Sequence, residues 1–132
     1  MDDEELLDNL HAHTMKALDM FCANCMVCTL EKLADLDVEI WEGHSFSFIG
    51  EYDRDVAHTI FNEETHKSWI ECNLSVLRLL SDEQRYNEMA HEMAHAIEFH
   101  LFGTSDHGER WASTHKLMGG NGLPGCVLPL DK

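Results

Sequence analysis

Proline is nearly missing from this sequence: there are two, Pro124 and Pro129, both close to the C-terminal end. No stretch rich in Gly, Pro or Ser interrupts the chain, and neither internal repeats nor low-complexity segments occur, so no linker divides the 132 residues. The expectation is a single domain spanning 1–132. Basic residues are also scarce: nine Lys and Arg face 25 Asp and Glu, a net charge of −16. No two of the nine are adjacent, which leaves no basic tract to neutralise phosphates or to settle on anionic lipid. Strong DNA binding by the isolated chain is therefore not expected. Long apolar runs are lacking too, which excludes a membrane-spanning helix. The N-terminus, Met1-Asp2-Asp3-Glu4-Glu5, is acidic where a secretory signal needs a basic and then an apolar segment. Cys22, Cys25, Cys28, Cys72 and Cys126 are odd in number and do not form a disulfide framework. A cytoplasmic, reduced setting follows as the expectation.

What is present suffices for a core, since 44% of the residues are hydrophobic. From Glu4 to Leu33 the apolar positions Leu7, Leu10, Met15, Leu18, Phe21, Cys22 and Cys25 recur at helical spacing, predicting one or two helices. Leu36 to Trp41 alternates with period two and reads as a strand ending at Gly43. Ser45–Gly50 and Ala57–Phe61 are further strand candidates. Trp69–Leu74 places Ile70, Cys72 and Leu74 on one face and Trp69, Glu71 and Asn73 on the other. Short strands separated by polar turns predict a small, mostly antiparallel sheet.

At Ser81 the period changes. Ser81 with Gln84 three residues on is a capping-box pattern, and Asp82 and Glu83 suit a first helical turn. Tyr86, Met89, Ala90, Met93, Ala94 and Ile97 then repeat at three and four up to Gly103, a natural stop. A shorter helix is expected from near Gly108 to Met118, and an irregular tail after Gly119-Gly120. The fold class is α+β.

Half of the ten histidines fall between His91 and His115. His91-Glu92-Met93-Ala94-His95 is an HExxH motif inside the best-defined helix. Residues four apart lie about 40° apart round a helix, so both imidazoles project from one face and can share a metal ion. Zinc holds imidazole nitrogen at roughly 2.0–2.1 Å. Glu92 points aside from the ligand face, placed to take a proton from water that the metal activates. The third ligand is open at this level. Glu98 and Leu101 stand where the HExxHxxGxxH pattern needs Gly and His, so that class is excluded. His100 is turned away on the same helix. His107, past the Gly103 stop in a loop able to fold back, is the best geometric choice, with Glu98 and His115 behind it.

The motif, together with Phe102-Gly103, His107-Gly108-Glu109-Arg110-Trp111 and Leu117-Met118-Gly119, resembles the SprT-like, Spartan-type zinc metallopeptidases. The similarity covers about Trp69 to Gly120, where Trp69–Leu74 resembles the family segment that ends in Leu-Asn ahead of the HExxH helix. The resemblance implies a zincin-like core, Zn2+ as cofactor, His91, His95 and His107 as its ligands, and Glu92 as catalytic base. It implies a zinc-dependent endopeptidase acting on a protein substrate. Many members add a zinc ribbon after the core, and this sequence reads as a minimal core without one. The family works on DNA, which the charge here does not favour without a partner, whereas an acidic face suits a basic protein partner. A different class of reading is a catalytically silent zinc-binding module that captures a protein through that face.

The remaining features have plainer expectations. Cys22, Cys25 and Cys28 span one helical face but lack a fourth ligand, and read as small core residues. His11 and His13 read as surface positions, and His44, His58 and His66 as solvated turn residues. Trp111 and Phe102 read as core beside the metal helix. Tyr86 and His115 are both candidates for polarising a transition-state oxyanion.

Overall fold

The computed structural model describes residues 1–25, 33, 35–43 and 56–122. Four helices and three strands form among them: α1 (Asp3–Asn24), β1 (Val38–Glu42), β2 (Ala57–Asn62), β3 (Lys67–Cys72), α2 (Leu74–Leu77), α3 (Asp82–Phe102) and α4 (Glu109–Leu117). The class is α+β, as the sequence pattern implies. The candidate strand at Ser45–Gly50, Cys28 and the tail beyond residue 122 lie outside the described residues.

Capping fixes the starts of the two long helices. Asp2 and Glu5 form a reciprocal capping box at α1, and Ser81 and Gln84 form one at α3, each satisfying amide groups that the first turn leaves without partners. At its other end α3 stops on Gly103, whose φ of 78° lies in the left-handed region that only glycine enters without strain. The chain is thereby turned back toward the helix it has just left.

The sheet order is β1-β3-β2, with β1 parallel and β2 antiparallel to β3. It is thus mixed, where the strand pattern predicts a mostly antiparallel arrangement. The antiparallel half follows from a tight turn: Asn62 Oδ1 accepts from the Glu64 and Thr65 amides, and His66 adopts φ 58°. The parallel half follows from the long connection between Glu42 and Lys67, which lets β1 pair on the far side of β3. β3 ends at Cys72, two residues earlier than the alternation predicts. Asn73 becomes the N-cap of α2, its carbonyl accepting from the Val76 and Leu77 amides. Leu74 stays buried, now on a helix.

Helices α1 and α3 cover one face of this sheet. Leu6 and Leu10 of α1, Ile70 and Cys72 of β3, and Leu74, Leu77 and Met89 form one apolar cluster. Ala17, Phe21, Ala90, Met93, Ala94, Ile97, Trp111 and Met118 form a second, which joins α1, α3 and α4. Ala17, Ala90 and Ala94 have no exposed surface, and their small side chains let the helices approach closely. Cys22 and Cys25 are half-buried against this second cluster, as expected of core residues. His13 departs from expectation. It is buried and bonded through Nε2 to Asp82 Oδ1 at 2.9 Å, which ties α1 to the start of α3. Phe102 is corrected too: the residue is 53% exposed, with the Arg110 guanidinium over its ring. Among the described residues, no helix is long and apolar enough to cross a membrane.

Ile70 has no exposed surface at the centre of the sheet, whereas Leu79 is more than half exposed. Ile70→Ala is expected to lower the unfolding free energy by about 2–5 kcal/mol in urea titrations, and Leu79→Ala by less than about 0.5 kcal/mol.

Candidate metal centre

The middle of α3 carries His91 and His95 on one face, and the loop after Gly103 brings His107 over them. His107 Nε2 lies 3.1 Å from His91 Nε2 and 3.0 Å from His95 Nε2. Three ring nitrogens therefore converge on one point. Tetrahedral ligands at zinc–nitrogen distances of about 2.0–2.1 Å would stand about 3.3 Å from one another, close to this spacing. Among the described residues this is the one group of three His, Cys, Asp or Glu side chains close enough to hold a metal ion. The donor chemistry fits as well. Burial, followed by repulsion from the neighbouring imidazoles, pushes His91 down to about 3 and His95 to about 4, so both are neutral at pH 7 with a lone pair to offer.

Beneath the group lies Trp111, fully buried as expected. Its indole N–H donates to the His91 carbonyl at 3.2 Å, and its ring packs against His91, His95 and His107. Glu92, buried beside His91, has Oε2 3.7 Å from His91 Nε2. Its other oxygen, Oε1, accepts from Thr59 Oγ1 at 2.9 Å. The same hydroxyl lies 2.9 Å from the Glu92 carbonyl, so strand β2 is hooked to α3 at this residue. Burial pushes the Glu92 carboxyl up to about 8, against the lowering effect of the Thr59 contacts. An open cleft of about 300 Å³ runs between β2 and α3, with Glu92 and the three histidines in its wall.

The other candidates are occupied elsewhere. Glu98 is fully buried, with Oε1 accepting from Ser105 and Oε2 from Arg110, and takes no place among the converging nitrogens. His115 is buried and stacked on Trp111, with Nδ1 accepting from the Gly122 amide at 3.1 Å. Burial lowers its pKa. Gly120 packs so tightly on that ring that a Cβ there would come within 2.3 Å of it. The Tyr86 hydroxyl donates to the Met118 carbonyl at 2.5 Å, so its proton is committed to closing α4 against α3. His100 is turned away as expected and pairs with Asp35.

Two residues of the site gave no sequence signal. Thr59 sits in the strand candidate Ala57–Phe61, and Ser105 is a polar residue in a loop. Only the fold brings Thr59 to Glu92 and Ser105 to His95. His58 also differs from expectation: it is a strand residue at the cleft, its Nε2 3.1 Å from Glu71 Oε1, and not a turn residue. His66 does lie exposed in the β2–β3 turn.

Two histidines of an HExxH helix and a third from the following loop, beside a small sheet, make a group that could hold a metal ion. The model of the SprT-like family matches residues 29–127, and the chain belongs to that family. No curated protein and no solved structure matches the chain. Helix α1 precedes the matched region, yet its Ala17 and Phe21 share a core with the metal helix.

The raised Glu92 pKa has a signed consequence for the metal-free protein. The folded state holds this proton more tightly than the unfolded state, whose carboxyl titrates near 4.5. The resulting stability is fully present below pH 4.5 and is lost as pH rises through about 8. Glu92→Gln lacks this loss. Between those limits the variant is expected to gain on the wild type by on the order of a few kcal/mol, read from urea midpoints of the metal-free proteins across the pH series.

Proposed function

We propose that this chain is a zinc-dependent metalloendopeptidase, with His91, His95 and His107 as zinc ligands and Glu92 as general base. The observation that carries the reading is the convergence of three imidazoles, with His107 Nε2 within 3.1 Å of the Nε2 atoms of His91 and His95, beside a buried carboxyl group. Membership of the SprT-like family, which is associated with metallopeptidase-type activity, supports it. Zinc bound there would supply a Lewis acid that polarises a peptide carbonyl and acidifies water.

The protein's own groups account for the rest. Neutral His91 and His95 give their lone pairs to a cation without first losing a proton at pH 7. Glu92 is held by Thr59 on the side away from the histidines, which leaves Oε2 turned toward them to accept a proton and later deliver it to the leaving amine. Burial raises the Glu92 pKa in the metal-free protein, and a cation beside it would favour the ionised form that a base needs. The cleft between β2 and α3 is open to solvent, which suits a segment of polypeptide better than a small molecule sealed from solvent. A protein with basic segments is the substrate class that the net charge of −16 favours. The same charge weighs against tight binding of DNA by the chain alone.

Metal analysis and a proteolysis assay on an unfolded test protein check this together. The wild type is expected to carry zinc and to cleave in a chelator-sensitive way. Glu92→Gln should keep the zinc while kcat falls by about 10²–10⁴-fold. Cleavage by that variant at the wild-type rate would overturn the assignment of the base. Zinc retained with no cleavage by either protein would favour the silent binding module.

A further inference from the structure

Glu98 is a carboxylate with no exposed surface, placed seven residues after His91 and so on nearly the same face of α3 as the two histidines. It lies under the loop that carries His107. Both of its oxygens are used: Arg110 Nε donates to Oε2 at 2.6 Å and Ser105 Oγ donates to Oε1 at 2.8 Å. The same serine oxygen lies 2.7 Å from His95 Nδ1.

These contacts impose a direction. A carboxylate paired with a guanidinium accepts hydrogen bonds and has none to give. The single Ser105 proton therefore points to Glu98, and the Ser105 oxygen can face His95 only as an acceptor. His95 must supply the proton from Nδ1, which leaves Nε2 unprotonated, and Nε2 is the atom that faces His91 and His107. Arg110 extends the arrangement into the loop by donating from Nη2 to the Thr104 carbonyl at 3.2 Å, and its guanidinium stacks on Phe102. One buried carboxylate thus sets the orientation of a ring on α3 and anchors the segment that ends in His107.

We propose that Ser105, held by the Glu98–Arg110 ion pair, is a positioning residue that presents His95 to zinc through Nε2 and sets the affinity of the site. The proposal rests on the reading of His91, His95 and His107 as a zinc site. Nothing in the HExxH spacing requires it, since neither Ser105 nor Glu98 donates to the point where the nitrogens converge. Partners of this kind that orient a metal-ligating histidine contribute about 10–100-fold in metal affinity.

The test uses the zinc-loaded full chain. Long-range 1H–15N spectra of the wild type are expected to show His95 with a protonated Nδ1 and zinc on Nε2. Zinc ligation through Nδ1, or an unprotonated Nδ1, would overturn the proposal without reference to any variant. Ser105→Ala should weaken zinc binding by about 10–100-fold in competition with a chromophoric chelator, while the far-UV circular dichroism stays that of the wild type. Ser105→Thr, which keeps the hydroxyl, should restore most of that loss. An affinity for Ser105→Ala within about twofold of the wild type, against the 10–100-fold that such partners contribute, would overturn the role of the serine. A wild type that takes up no zinc would instead remove the underlying reading of the site, so the two failures are told apart.

Discussion

Three imidazole nitrogens share one small volume, His107 Nε2 lying 3.0–3.1 Å from each of the other two, and bringing three polar rings so close carries a cost in desolvation. The fold must supply the force that holds them there, and its parts are intelligible in those terms. Two of the nitrogens come from one helix, where spacing alone fixes their separation. That helix is capped at its start by Ser81, bound along its length to α1 through alanines, and stopped by Gly103. The third comes from a loop whose return path is set by that stop and by the buried Glu98–Arg110 pair. Trp111 then underlies all three rings, so none can swing inward.

The same constraint shows which parts of the molecule are legible in its sequence. Helix α3 is legible because its information is local: a capping box, a three-and-four apolar repeat and a glycine within two dozen residues. His91, Glu92 and His95 come with it, since fixed spacing on a helix is also fixed geometry. His107 is legible less directly, through the glycine that ends the helix and through the family pattern. The sheet is harder. Period-two alternation locates β3 and β1, but it carries no information on pairing partners, and the parallel pairing of β1 with β3 depends on a long connection. Thr59 and Ser105 are invisible at that level because each acts across a tertiary contact, Thr59 over 33 residues and Ser105 over 10. The burial of His13 is hidden for the same reason: its partner, Asp82, is 69 residues away.

Charge has a second meaning once the structure is in view. Three of the glutamates, Glu88, Glu92 and Glu98, are buried on the helix that carries the metal candidates. Burying carboxylates next to a site that could take a cation is costly by itself, and an ion there would offset part of the desolvation penalty. The acidity is therefore divided in function. Most of it faces solvent, and a small part lies inside, where it shapes the electrostatics of one helix.

Gly103 ends the helix so that His107 hangs on a short tether, twelve residues along the chain from His95. The three nitrogens are consequently supported in different ways. His91 and His95 are carried by α3, whose position is fixed by the core that it shares with α1. His107 rests on the loop after Gly103, whose path is held by the contacts of Ser105 and Arg110 with Glu98. One point is thus built from two kinds of scaffold, two arms of a single rigid rod and a third set by a loop that a buried ion pair pins in place.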